Sequence, residues 1–103
     1  MIHADKCAEL NLPTPKTYET QLLYILRLIS EGFVLNTRIC RFIGIHNLHS
    51  LASVLVKRGV NFTLCYERVY CPFIGDIPPY PVDVIYMTKE QQEQYRNEKA
   101  AMA

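Results

Sequence analysis

The stretch Phe33–Gly59, FVLNTRICRFIGIHNLHSLASVLVKRG, decides the fold of this chain. It predicts two short helices joined by a tight turn. The first covers roughly Asn36–Phe42, and the second runs over about Asn47–Arg58, with asparagine as a suitable N-cap for both. Gly44 supplies the positive φ that a sharp turn between helices needs, and Gly59 supplies it at a helix C-terminus. The rest of the chain is expected to support this unit.

The second of these helices has two chemically different faces. Five apolar side chains recur at helical spacing and form one stripe: Leu48, Leu51, Ala52, Leu55 and Val56. Positions outside the stripe carry short polar groups first and a cation last: Asn47, His49, Ser50, Ser53 and Lys57. This pattern predicts a helix-turn-helix whose short polar side chains reach base edges while Lys or Arg reaches phosphate. An ordinary amphipathic helix with a solvated outer face is the alternative.

Length and composition limit the class of protein. The chain has 103 residues, of which 50% are apolar and 20% are charged. This predicts one domain with one hydrophobic core rather than a disordered chain. The apolar runs are too short to span a bilayer, and the start MIHADKCAEL lacks the pattern of a signal peptide. We therefore expect a cytoplasmic protein without membrane contact.

The charge is small but unevenly distributed. The formal net charge is +1. Residues 31–70 carry five Lys or Arg and two Glu, whereas residues 71–103 carry three Lys or Arg and five Asp or Glu. The positive excess coincides with the two helices, where a DNA-binding surface would need it, but it is modest. We expect one copy to bind DNA weakly, and therefore expect a homodimer or a partner protein.

No cofactor, metal site or enzymatic activity is predicted. The cysteines form no C-x-x-C pair and lack zinc-site spacing, so buried reduced thiols are expected. They are Cys7, Cys40, Cys65 and Cys71. His46 and His49 are three positions apart and could share a metal, but a surface or phosphate-facing role is favoured. The sequence contains no phosphate loop, nucleophile elbow or paired-acid site.

The chain before the two helices is predicted to form an arm and one apolar helix. The arm covers residues 1–16, and Pro13 and Pro15 forbid a helix around them. Its apolar residues could dock on the core or on a second subunit. Thr17 is the candidate N-cap of a helix over residues 18–30. That helix is apolar on more than one side, which places it at the centre of a three-helix core or in a dimer interface.

After the second helix, apolar and polar residues alternate along the chain. Val60–Tyr70 and Val82–Met87 are rich in β-formers and predict an antiparallel hairpin. One face of the first strand is expected to carry Phe62, Leu64 and Tyr66. The loop between the strands is stiffened by prolines, and its tip, Gly75–Pro81, is expected to contact a partner rather than the core. An exposed connector is the alternative for this loop.

The C-terminal segment Lys89–Ala101 contains strong helix formers and almost no apolar stripe. Thr88 and Gln91 have the spacing of a capping box at its start. The whole pattern predicts an α+β fold that is mainly α. We expect one domain over residues 17–88 and a C-terminal helix and tail over residues 89–103.

The segment Thr17–Thr88 resembles the small winged helix-turn-helix domains of bacteriophages and prophages. The similarity rests on the apolar helix ending at Glu31-Gly32, on NTRICRFIGI as positioning helix and turn, on HNLHSLASVLVKRG as recognition helix and on VNFTLCYERV as first wing strand. It implies a winged helix-turn-helix with a three-helix core, a β-hairpin wing and a C-terminal helix. It also implies a transcriptional regulator in the cytoplasm of a bacterial host cell. The sequence departs from the family in its longer, proline-rich wing with few cations.

Two functions follow from these patterns. The first is sequence-specific binding of double-stranded DNA by a homodimer. Its base-facing residues would be His46, Asn47, His49, Ser50 and Ser53. Its phosphate contacts would be Arg38, Arg41, Lys57, Arg58 and Arg68. The alternative is a protein–protein interaction module that binds a host protein without binding duplex DNA, which the weak net charge and the apolar wing favour.

Overall fold

The computed structural model describes residues 2–102, so Met1 of the predicted arm and Ala103 of the predicted tail lie outside the described residues. Five helices and three strands follow one another in this part of the chain. They are α1 Ala4–Glu9, α2 Gln21–Ser30, β1 Leu35–Asn36, α3 Thr37–Phe42, α4 Leu48–Lys57, β2 Thr63–Glu67, β3 Val82–Tyr86 and α5 Lys89–Met102. The predicted α+β class is confirmed. None of the helices in residues 2–102 is long and apolar enough to cross a membrane.

The strands form one antiparallel sheet in the order β1-β3-β2. Strand β3 pairs with β2 along its whole length, which confirms the predicted hairpin. On its other side β3 pairs with β1, where Leu35 faces Ile85 and Asn36 faces Val84. Leu35 and Ile85 are fully buried. Strand β1 is not predictable from the sequence, because two residues carry no periodicity.

Helix α2 lies at the centre of the core, as one of the two alternatives predicted. Its fully buried side chains are Tyr24, Ile25, Leu28 and Ile29. The prediction that Thr17 caps this helix is wrong. Thr20 is the N-cap, and its Oγ1 accepts a hydrogen bond from the Leu23 N–H at 3.1 Å. Glu19 stays outside the helix because its carboxylate accepts hydrogen bonds from Arg27 and from the backbone N–H of Lys16.

The N-terminal arm docks on the core, and it contains the helix α1 that the sequence analysis does not predict. Cys7 of α1 is fully buried. The Tyr24 hydroxyl donates to the Pro13 carbonyl at 2.7 Å and lies 3.3 Å from Cys7 Sγ. Leu10 and Leu12 pack against the same core. The prolines do exclude a helix around themselves, but α1 ends before them.

The helix–turn–helix unit has the predicted boundaries to within a residue. The Asn36 side chain caps α3 by accepting from the Ile39 N–H at 2.9 Å. Gly44 adopts a φ of 98° in the turn, and Gly59 adopts a φ of 77° after α4. At the end of α4 the Val60 N–H donates to the Leu55 carbonyl, which completes a left-handed C-terminal cap.

Two apolar assignments on this part of the chain need correction. Val56 is 63% exposed and does not belong to the buried stripe of α4. At about 3.6 residues per turn it lies roughly 80° around the helix from Leu48, beyond the edge of the core.

Strand β2 is also shorter than predicted, so Phe62, Leu64 and Tyr66 do not share one face. Phe62 precedes the strand and packs on the core, whereas Leu64 and Tyr66 are exposed.

Helix α5 begins with the predicted capping box. The Gln91 N–H donates to Thr88 Oγ1 at 3.2 Å, and the Thr88 N–H donates to Gln91 Oε1 at 2.9 Å. The helix packs against α2 through the half-buried Tyr95. The Gln92 side chain also donates to the Met87 carbonyl at 3.0 Å. These contacts hold α5 beside α2.

Candidate nucleic-acid interface

The outer face of α4 is a polar stripe that points away from the core. Ser50, Ser53 and Lys57 lie within roughly 60° of one another around the helix, at about 3.6 residues per turn. All three are exposed. They lie opposite Leu48 and Leu55, which are buried. Because the core fixes the apolar face, the fold presents this stripe to whatever approaches α4.

The other base-facing candidates lie beside the stripe at the start of α4. His46 and Asn47 are exposed. Asn47 occupies the N-cap position, but its side chain makes no capping hydrogen bond. The Ser53 hydroxyl donates to the His49 carbonyl at 3.2 Å, within the helix. Four of the five candidates therefore lie exposed at the start and centre of α4, and their side chains make no hydrogen bond to another element of residues 2–102.

His49 is the exception, because it joins α4 to the hairpin. Its Nδ1 lies 3.0 Å from Asp83 Oδ2 on β3. The Asp83 side chain is only 12% exposed, whereas that of His49 is 75% exposed. Asp83 is a residue of this candidate site that sequence reasoning missed. A pairing between residues 34 positions apart leaves no local signal.

The cation candidates differ in their surroundings. Arg41, Lys57, Arg58 and Arg68 are exposed. Arg68 also donates from Nε to the Pro78 carbonyl at 3.3 Å, across the base of the hairpin loop. Arg38 is only half-buried overall, but its Nε is buried and has no hydrogen-bond partner among residues 2–102. Three of the five cations thus lie on α3 or at the end of α4 with exposed side chains.

The helix–turn–helix segment contains cations without any acidic residue. Residues 32–66 include Arg38, Arg41, Lys57 and Arg58 but no Asp or Glu. Asp83 is brought to the edge of this segment by the fold. Because carboxylates repel phosphate, a surface that binds an anionic partner is favoured by a long stretch of sequence without Asp or Glu. The surface of α3 and α4 meets that condition, apart from the single carboxylate beside His49.

The hairpin loop, residues 68–81 between β2 and β3, exposes mainly apolar side chains, with Arg68 as its one basic residue. Its exposed large hydrophobic residues are Tyr70, Phe73, Ile74, Ile77 and Tyr80. The predicted tip, Gly75–Pro81, is exposed except for the half-buried Pro78. The Phe73 ring packs edge-to-face with that of Phe42 on α3, with the ring centroids 5.3 Å apart. The tip stands away from the core, and its contact with a partner stays a prediction.

The cysteines are four free thiols in different environments. Cys7, Cys40 and Cys71 are buried as predicted, whereas Cys65 is half-exposed. Burial, assisted by Cys7, raises the pKa of Cys40 to about 12. No group of three or more His, Cys, Asp or Glu side chains within residues 2–102 could hold a metal ion.

Cys71 has the opposite shift. Burial raises the pKa of its thiol, but hydrogen bonds from the backbone of Ile74 and Phe73, together with Arg38, outweigh that effect. The pKa of Cys71 therefore lies below its usual range. Arg38 of α3 thus lies near the Cys71 thiol, and the ring contact between Phe42 and Phe73 brings the same helix to the loop.

A cleft of about 720 Å³ lies on another part of the molecule, between the 16–19 segment, α2 and α5. Leu23, Leu26 and Tyr95 line it together with charged groups. Its Arg27 guanidinium is already bound by the Glu19 carboxylate at 2.7 and 2.9 Å and by the Thr14 carbonyl at 3.0 Å. The bond to Thr14 therefore fixes the end of the arm to α2, and the ion pair fixes the residues that follow it.

The Glu19–Arg27 pair should make stability depend on pH. The hydrogen bond from Arg27 lowers the pKa of Glu19, so the stabilisation is present above the unfolded pKa of about 4.3 and is lost as pH falls through the folded value. We expect Glu19→Gln to lower the free energy of unfolding by about 1 kcal/mol at pH 7 and by much less near pH 3. Urea denaturation at both values measures this.

The matched control for that experiment is Glu9→Gln. Glu9 pairs with Lys6 at 3.6 Å, but both side chains are largely exposed. Its substitution should therefore change stability by no more than a few tenths of a kcal/mol. An equal loss for Glu19→Gln at pH 7 and pH 3 would contradict an ionic role for the Glu19 pair.

The chain matches no protein-family model, no curated protein and no solved structure. The surfaces of α4 and the hairpin loop therefore carry the functional argument.

Proposed function

We propose that this chain is a winged helix-turn-helix protein that binds double-stranded DNA through α4 and regulates transcription, as a phage or prophage regulator in a bacterial host cell. The element order supports the winged helix, because α2, β1, α3, α4 and the β2–β3 hairpin follow one another as helix, strand, two helices and wing. In such a domain α4 is the recognition helix.

One observation carries the proposal: the exposed stripe of Ser50, Ser53 and Lys57 opposite the buried face of α4. Short hydroxyls at the centre of a helix allow its backbone to lie deep in a major groove about 12 Å wide. Lys57 and Arg58 follow at the end of the helix, where phosphates flank the groove. The absence of Asp and Glu from residues 32–66 removes carboxylates that would repel the phosphates of DNA.

The proposal is tested by selecting bound sequences from a random DNA duplex library with the purified protein at about 50 mM salt. The result expected is enrichment of one site, for which the logarithm of affinity falls linearly with the logarithm of salt concentration. The affinity should be measured again at higher salt concentration, on both the selected site and a scrambled site. Failure to retain any duplex at low salt would overturn the proposal.

The exposed apolar side chains of the hairpin loop favour a second function, a protein–protein interaction module. A basic wing would add phosphate contacts, but the loop residues 68–81 carry one cation, Arg68, and one anion, Asp76. This loop fits a protein surface better than it fits DNA. Capture of a host protein after DNase treatment, lost when Ile77–Pro81 is replaced by a Gly-Ser linker, would support this alternative.

A further inference from the structure

We propose that the hairpin loop is the surface through which two copies of this chain associate as a symmetric dimer. The loop patch consists of the five exposed side chains Tyr70, Phe73, Ile74, Ile77 and Tyr80. Their exposed fractions run from 50% to 73%. A single soluble chain seldom leaves so many large apolar groups exposed within one loop, and such clusters mark interaction sites.

The size of the loop patch fits one half of a dimer interface. A buried aromatic side chain covers 150–250 Å², so the exposed parts of three aromatic rings amount to on the order of 400 Å². A standard interface takes about 800 Å² from each partner, of which somewhat more than half, roughly 450 Å², is apolar. The aromatic rings, with Ile74 and Ile77 beside them, supply that apolar share.

The loop is held in shape before any partner binds. The Cys71 N–H donates to the Asp76 carbonyl at 2.8 Å, and the Gly75 N–H donates to the Cys71 carbonyl at 2.9 Å. The Asp76 carboxylate accepts from the Ile77 N–H at 2.7 Å. Four prolines at positions 72, 78, 79 and 81 restrict the backbone further. Association therefore orders few additional torsions, which lowers its entropic cost.

Charge fits a second copy as the occupant. Residues 68–81 carry one cation, Arg68, and one anion, Asp76, so the loop has no net charge. In a two-fold interface residue i of one copy meets residue j of the other, so a loop without net charge meets its own copy without net repulsion. A strongly charged partner protein would find at most one complementary charge on this loop.

A dimer would also strengthen DNA binding, an inference that rests on the proposed function. One chain with a net charge of +1 has few phosphate contacts, and a dimer doubles them. The His49–Asp83 contact joins α4 to the hairpin at 3.0 Å. Pairing of the loops would therefore hold two α4 helices at a fixed separation, as a two-fold related pair of half-sites requires.

Sedimentation velocity from about 1 to 100 µM, the range in which modest interfaces dissociate, tests the dimer. The wild-type chain should sediment as a dimer at the upper end. The double variant Ile74→Ser/Tyr80→Ser should raise the dimer dissociation constant at least about a hundredfold, because each change acts twice in a symmetric interface. Both residues are exposed, so the melting temperature at low concentration should stay close to that of wild type.

The matched control is Tyr18→Ser, which removes a tyrosine that is 95% exposed outside the loop patch. It should leave the dissociation constant unchanged. A wild-type monomer at about 100 µM would overturn the dimer. So would a double variant that still dimerises like wild type, or a chain that is monomeric alone and uses this loop to capture another protein.

DNA binding separates this inference from the proposed function. If both hold, the monomeric double variant still binds a half-site at low salt, with about half the salt dependence of the wild type on the full site. A wild-type dimer that retains no duplex would overturn the DNA function and leave the dimer standing. A wild-type monomer that selects a DNA site would overturn the dimer alone.

Discussion

Replacing Leu55 with alanine is expected to lower the free energy of unfolding by about 3 kcal/mol. Leu55 is fully buried, and its carbonyl also anchors the C-terminal cap of α4. Removing its side chain takes away apolar contacts and leaves a cavity in the core, where α4 packs on α3 and β3. Domains of this size are stable by only about 5–15 kcal/mol, so the loss is a large fraction of the total. Urea denaturation followed by circular dichroism measures it.

The neighbouring change Val56→Ala is the control for Leu55→Ala. The sequence pattern puts both residues in one apolar stripe, but Val56 is exposed in the structure. Its replacement should therefore shift stability by no more than about 0.5 kcal/mol. Equal losses for the two variants would show that α4 is rotated about its axis from the orientation described, and the stripe of Ser50, Ser53 and Lys57 would then no longer be its outer face.

Elements with strong local signals could be predicted from the sequence. Asn36, Gly44 and Gly59 act through their own backbone or side-chain chemistry, and the Thr88–Gln91 capping box acts within one turn. These features set the boundaries of α3, α4 and α5 almost independently of the rest of the chain. The sequence therefore predicted the central unit and the hairpin well.

Features that depend on distant partners could not be predicted in the same way. Strand β1 exists because β3 lies beside it, and α1 is held by burial of Cys7 against Tyr24. The helix α2 begins at Gln21 rather than after Thr17 because Arg27 holds Glu19 eight residues away. Each of these is a tertiary contact that outweighs the local preference.

The candidate site likewise contains residues whose position could be predicted from local sequence and residues whose position depends on distant contacts. Exposure of Asn47, Ser50 and Ser53 follows from helical periodicity, so the sequence could predict it. The contact between His49 and Asp83 follows from how β3 packs beside α4, and residues this far apart in sequence give no local pattern that predicts it. As a result, one of the predicted DNA contacts also connects α4 to the hairpin.

Replacing Asn47 with alanine is expected to weaken binding to the preferred DNA site by about 1–3 kcal/mol and to change binding to other sequences little. The physical reason is that an amide can make a bidentate contact with adenine only where adenine is present. Lost helix capping would ordinarily confuse this result, since N-cap asparagines stabilise helices. Here the Asn47 side chain makes no capping hydrogen bond, so the free energy of unfolding should stay nearly constant.

Lys57→Ala should change DNA affinity in a different way from Asn47→Ala. Lys57 lies at the exposed end of the α4 stripe, where it would contact phosphate rather than a base. Its loss should weaken binding to all sequences and reduce the salt slope by about one ion per site. Lys99→Ala, which removes an exposed lysine on α5, should leave both affinity and slope unchanged. Fluorescence anisotropy across a salt series, on the selected and scrambled sites, measures all three variants. If Asn47→Ala weakens both sites equally, Asn47 does not read a base, and the polar face of α4 must contact the backbone or a protein instead.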